Sequence, residues 1–222
     1  MNFRDIFKRI FAKINAMFAG NMTPDLLPYN QIRAIYKYQI QNAILGFLID
    51  DANNPTKYAN EMKKAMVQSF SEAFDRGYTD AGGDPKEMEQ SDHTWVGNKQ
   101  MTEIGFIGQL FDRLKELKKE EPDEDNTSEV DDRSEGYATT LDGIYAEGRL
   151  RGDKNQMLTF DGDDGMESCK DCQKWKGKRH SAKWWIKRGL IPGQPGNPNF
   201  ACRGFNCLHY LYNDAGEIVA GH

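Results

Sequence analysis

Between residues 3 and 18, Phe3, Ile6, Phe7, Ile10, Phe11, Ile14, Met17 and Phe18 recur at three- and four-residue intervals. Arg4, Lys8, Arg9 and Lys13 fall outside this stripe. The spacing predicts an amphipathic helix ending near Gly20, a unit of residues 1–20. Phe3, Phe7, Ile10, Phe11, Ile14 and Phe18 are its docking face. A basic amphipathic helix can also lie on a membrane surface. Docking on protein is the preferred reading, because such stripes ordinarily face a core. Charged residues interrupt the apolar ones throughout, so the segment does not read as a secretory signal.

Three further stripes predict helices in a domain of residues 21–118. Ile32, Ile35, Tyr36, Ile40, Ile44, Phe47 and Leu48 mark one. Asn53-Asn54-Pro55 breaks it, with Asn54 suited to cap the next helix and Pro55 to open it. Tyr58, Met62, Ala65, Met66, Phe70, Ala73, Phe74 and Gly77 share a face of that helix, which Gly82-Gly83 ends. From about Lys99 a third carries Ile104, Ile107, Leu110, Phe111, Leu114 and Leu117. Short connections imply antiparallel neighbours. The pattern then fails: residues 120–132 hold eight acids and a proline, which reads as a solvated acidic linker over 119–132. A last helix is predicted over about 129–151, with Tyr137, Leu141, Ile144, Tyr145 and Gly148 inward. Met157-Leu158-Thr159-Phe160 reads as a short strand and Asp161–Gly165 as a turn. A calcium loop would want glycine at Met166 and glutamate at Cys172.

The chain has 222 residues and four cysteines, none before Cys169. Cys169-Lys-Asp-Cys172 and Cys202-Arg-Gly-Phe-Asn-Cys207 form two short knuckles, followed by His209. Paired cysteines at this spacing point to a structural zinc site, since each knuckle can aim two thiolates at one ion. Four-cysteine ligation by Cys169, Cys172, Cys202 and Cys207 is the first choice, with His209 replacing a cysteine as the variant. Gly204 helps the second knuckle fold back. A redox pair would have no use for the second knuckle, and nothing marks one cysteine as a nucleophile beside His180 or His209. The predicted fold class is therefore mainly α with a small C-terminal α+β zinc-stabilised module at 157–212.

Charge divides the chain the same way. Net charge is −5 overall, yet residues 169–209 hold nine Lys/Arg against one acid, Asp171, leaving the remainder at −13. Lys174, Lys176, Lys178, Arg179, Lys183, Trp184, Trp185, Lys187 and Arg188 interleave bases with aromatics, making them candidate DNA contacts. The competing reading is that the tryptophans cover the metal site as a miniature core. This is preferred for Trp175 and left open for Trp184 and Trp185.

Gly-Tyr-Ala-Thr-Thr-Leu-Asp-Gly-Ile-Tyr-Ala (136–146) follows Arg133-Ser134-Glu135, and then come the Leu158-Thr159-Phe160 strand, Cys169-x-x-Cys172, Trp175-Lys176-Gly177 and a proline loop into Cys202–Cys207. This order resembles the carboxy-terminal domain of the tailed-phage head morphogenesis family, the Mu F-like minor head proteins. It covers about 130–212, within a domain of 133–222. The chain departs from the family pattern at Ser134, where threonine is usual, at Trp175, where a Leu-like residue is usual, and in a C-x4-C close instead of Cys-Arg-Cys. The resemblance implies a minor, non-enzymatic virion component at the capsid interior or portal vertex, acting in head assembly and in some phages in DNA ejection. It implies portal or major capsid protein as partner, with packaged DNA and further copies of the chain also in reach. Membrane contact is not expected. A free zinc-dependent nucleic-acid-binding regulator is the alternative. A metal-dependent nuclease or hydrolase is the third reading, and it would need an open metal position and a general base.

Overall fold

The stripe from Ile32 to Leu48 and the one from Tyr58 to Gly77 each wind into a helix with its apolar face inward. In the computed structural model, which describes residues 27–49, 54–117, 124–162, 169–194, 197–204 and 207–221, they are α1 (Tyr29–Ile49) and α2 (Pro55–Asp80). Asn54 caps α2 by accepting from the backbone N–H of Lys57 at 3.1 Å, and Pro55 opens it. Helices α3 (Gln90–Leu117) and α4 (Glu124–Gly152) complete a bundle. Tyr36, Ile44 and Phe47 of α1 are fully buried in its core with Met62, Met66 and Phe70 of α2, Ile107 of α3 and Leu141 of α4. The amphipathic segment of residues 3–18, with Phe3, Phe7, Ile10, Phe11, Ile14 and Phe18, lies outside the described residues.

Helix α4 packs closest on α2, and glycines permit it. A Cβ added at Gly148 would sit 2.3 Å from the carbonyl oxygen of Phe74, and one at Gly77 2.2 Å from that of Tyr145. Both clashes are with backbone, which cannot swing aside. Gly148→Ala should therefore lower stability by about 1–3 kcal/mol despite alanine's better helix propensity. Urea unfolding measures this, and a variant as stable as the parent would refute the close approach. On the other side, Arg33 bonds Asp142 at 3.0 Å, Lys37 bonds Glu135 at 2.6 Å, and Tyr29 donates to Asp142. The hydrogen bonds from Lys37 and Arg33 hold the Glu135 carboxyl at about 2, well below the usual range.

Two boundaries differ from the periodicity. Helix α3 starts at Gln90, not near Lys99, because its first turns are fastened by a buried charge, Asp92, which an apolar count does not register. The acidic stretch expected as a linker over 119–132 is helical from Glu124. An acidic sequence is as compatible with a helix start, where the macrodipole is positive, as with a linker. The expected boundary at 133 thus falls inside α4, whose Val130, Leu141 and Ile144 belong to the bundle core.

Beyond α4 the chain forms a small antiparallel sheet flanked by two short helices. Its elements are β1 (Met157–Gly162), α5 (Lys170–Trp175), β2 (Arg179–Ser181), α6 (Ala182–Arg188), β3 (His209–Tyr212) and β4 (Ile218–Ala220). Strand order is β2-β1-β3-β4, with Leu158 opposite His180 and Phe160 opposite Leu211. A second core gathers Leu158, Phe160, Trp185, Phe200, Leu211 and Val219 with Leu150 from the end of α4. The protein is thus mainly helical, with a small C-terminal antiparallel sheet. Between the two cores lies an ion network. Arg151 bonds Asp92 at 2.9 Å and Glu147 at 2.8 Å, and Gln194 of the proline loop donates to Glu147 at 2.7 Å.

Candidate metal centre

Cys169 and Cys172 share one turn because Cys169 caps α5: its Sγ accepts from the backbone N–H of Cys172 at 3.4 Å. That turn brings the two sulfurs to 3.2 Å. The second knuckle reverses through left-handed backbone at Arg203 (φ 50) and Gly204 (φ 76). Glycine is required at the latter, since a Cβ would meet the carbonyl oxygen of Gln194 at 2.0 Å. The backbone N–H of Gly204 bonds the Cys202 sulfur, which the turn aims at the first knuckle.

The knuckles are tied to each other by several contacts. Asp171 Oδ2 accepts from the backbone N–H of Ala201 at 2.8 Å, and Cys172 Sγ lies 3.8 Å from Cys207 Sγ. Sulfurs bound 2.3 Å from a common ion at tetrahedral angles stand about 3.8 Å apart. Donor atoms of Cys169, Cys172 and Cys202 lie within 4.8 Å of one another, and so do those of Cys172, Cys207 and His209. Cys172 belongs to both groups. All four cysteines are free thiols, at separations far beyond the roughly 2.05 Å of a disulfide. His209 opens β3, is buried, and sits beside the Phe160 ring at 5.4 Å.

The electrostatics suit a cation. Burial pushes the Cys172 thiol far above its ordinary range, with the neighbouring Cys169 and Cys207 adding to the rise. Burial likewise raises Cys202. At Cys169 burial also acts upward, but hydrogen bonds from the backbone N–H groups of Cys172 and Cys202, and from their thiols, outweigh it and lower the value. Converging sulfurs in a desolvated spot are costly as anions until a positive ion compensates them. The cluster could hold a metal ion. Four cysteines would close a tetrahedral shell, leaving no position for a substrate. Asp171, the acid nearest in sequence to the cluster, is committed to Ala201.

The candidate DNA contacts divide. Trp185 is withdrawn from that set: it is fully buried in the module core, and its Nε1–H donates to the Leu158 carbonyl at 3.2 Å. Arg179 is exposed but bonded to both oxygens of Asp214, at 2.8 and 2.7 Å. Lys176 is half-buried with its Nζ 3.9 Å from Asp161. Trp184 is half-buried, stacked on His180 at 3.7 Å and 11°, with the Arg188 guanidinium 4.0 Å from its ring centre. Lys174 lies over Trp175 at 5.1 Å, and Lys178, Lys183 and Lys187 are exposed. The pattern of charges and knuckles did not reveal the roles of Asp171 and Gln194. For Asp171 one signal was present, since it is the only acid among residues 169–209.

No protein-family model matches the chain, and no curated protein or solved structure gives a significant match.

Proposed function

We propose that Cys169, Cys172, Cys202 and Cys207 hold one zinc ion as a structural centre, with His209 as the variant ligand. We propose further that the chain is a minor head protein of a tailed phage, a non-enzymatic virion component that docks on portal or major capsid protein. The observation that carries the reading is the meeting of the two knuckles in two donor groups that share the buried Cys172. A donor set dominated by thiolates suits zinc, and full coordination by protein suits a structural role. The head-protein reading rests on motif order. It is supported by the continuity of the helix that carries Arg133-Ser134-Glu135 and residues 136–146, whose end places Leu150 in the core of the module bearing both knuckles.

Genome context and binding test the second part. A portal gene should lie upstream and a scaffold or major capsid gene downstream, and the chain should co-elute with that portal or capsid protein when co-expressed. Regulatory or metabolic neighbours, or no complex with either protein at micromolar concentration, would overturn it.

A further inference from the structure

Trp184 is a closed aromatic. His180 and the Arg188 guanidinium both lie within about van der Waals reach of its ring centre, at 3.7 and 4.0 Å, and two groups that close can only occupy opposite faces. Trp175 meets Trp184 edge-on at 5.7 Å and carries Lys174 above its ring. Trp185 is buried beneath them. Recognition of single strands by base stacking needs free aromatic faces, and this surface keeps its aromatics engaged with its own side chains.

What the surface does offer is charge. Lys174, Lys178, Lys183, Lys187 and Arg188 are exposed, and among the described residues none of the five pairs with a carboxylate. The contacts from Lys174 through Trp175 and Trp184 to Arg188 make one continuous strip, and Lys183 and Lys187 stand one turn apart on α6. A guanidinium stacked by its face on Trp184 is already ordered yet keeps its N–H edge for a bidentate oxyanion. Lysines are depleted at protein–protein interfaces, whereas nucleic-acid interfaces are strongly positive. The net −13 of the chain outside 169–209 favours presenting this segment to a polyanion.

We propose that Lys174, Lys178, Lys183, Lys187 and Arg188 form a sequence-independent contact strip for the phosphate backbone of duplex DNA. The proposal stands on the module's geometry and does not depend on docking to a portal.

Fluorescence anisotropy of the full chain tests it, using a labelled 20-base-pair duplex and the matching single strand between 50 and 200 mM salt. Five phosphate contacts predict a log–log salt slope of about −4.5, an affinity loss of about 500-fold across that range. Lys183→Gln, Lys187→Gln and Arg188→Gln together should flatten the slope to about −1.8. Lys174→Gln with Lys178→Gln, which leaves the His180–Trp184–Arg188 stack intact, should flatten it to about −2.7 and serves if the triple variant misfolds. Tighter binding to the single strand than to the duplex would overturn the proposal. So would equal binding to polyglutamate or to phosphatidylserine vesicles, slopes unchanged in both variants, or no duplex binding at 50 mM salt.

Discussion

Serine in place of Cys172 is expected to abolish zinc binding and unfold the C-terminal module while the helical bundle survives. Cys172 is the residue common to both donor groups, 3.2 Å from Cys169 and 3.8 Å from Cys207, so no ligand set built from this cluster dispenses with it. Structural zinc contributes on the order of 10 kcal/mol of apparent folding free energy in small modules. The module has little to replace that with. Its strands run three to six residues, its flanking helices six and seven, and the second knuckle lies in irregular backbone. The bundle has a separate core and should hold its helices.

Tryptophan emission separates the two units, because Trp175, Trp184 and Trp185 lie in the module and only Trp95 in the bundle. Emission should shift red on chelation or in Cys172→Ser, while far-ultraviolet dichroism stays largely helical. Metal analysis should give one zinc per native chain. Paired variants then decide the ligand set. With four-cysteine ligation, serine at each of the four cysteines loses zinc and His209→Ala keeps it; with His209 as a ligand, His209→Ala loses zinc and serine at the cysteine it replaces keeps it. Native protein without near-stoichiometric zinc, or emission indifferent to chelation, would refute the metal reading.

Replacing Arg151 with methionine should cost about 3–5 kcal/mol, the toll of leaving buried charges without their partner. Asp92 has no exposed surface, Glu147 is 3% exposed and Arg151 8%. The guanidinium bonds both carboxylates and lies 5.4 Å from the Trp95 ring, with Lys154 reaching the far oxygen of Asp92 at 3.3 Å. Methionine fills most of the space and supplies none of the donors. The two carboxylates respond to pH in opposite directions. Burial acts to raise Asp92, but the bond from Arg151, the backbone N–H of Glu89 and the nearby cations outweigh it and hold the group low. Its stabilisation is present above the ordinary aspartate range and lost as pH falls through the lowered value. Burial dominates at Glu147 and raises it, so its contribution is present in acid and lost as pH rises through the raised value. Without Arg151, Glu147 should rise further and shed its charge more readily. The deficit of Arg151→Met should therefore be larger at pH 8 than at pH 6 in urea unfolding. A variant within 1 kcal/mol of the parent at pH 8 would contradict the network's role.

The same network shows where sequence patterns stop being informative. Helices α1 and α2 were legible because their stabilising residues repeat at helical spacing, and Asn54-Pro55 is a local capping signal. The start of α3 was not legible: its anchor is Asp92, and its partners lie 59 and 62 residues away, at Arg151 and Lys154. The onset of α4 was hidden by acids that suit a helix start and a linker equally. Trp184 and Trp185 are adjacent with like neighbours in sequence, yet one is half-exposed and stacked while the other is core.

Taken by itself, the amino-acid sequence determined the helical character of the bundle, the short strand after it and the identity of the candidate ligands. Those depend on periodicity and on spacings of a few residues, which the local backbone enforces. Tertiary structure alone decided that Cys172 stands between two donor groups, that Asp171 ties one knuckle to the other, that Gln194 reaches Glu147, and which basic side chains remain unpaired. Each of these rests on contacts between residues 15 or more positions apart, or on a choice between two faces of one short helix. Packing sets such distances, and no local pattern encodes them.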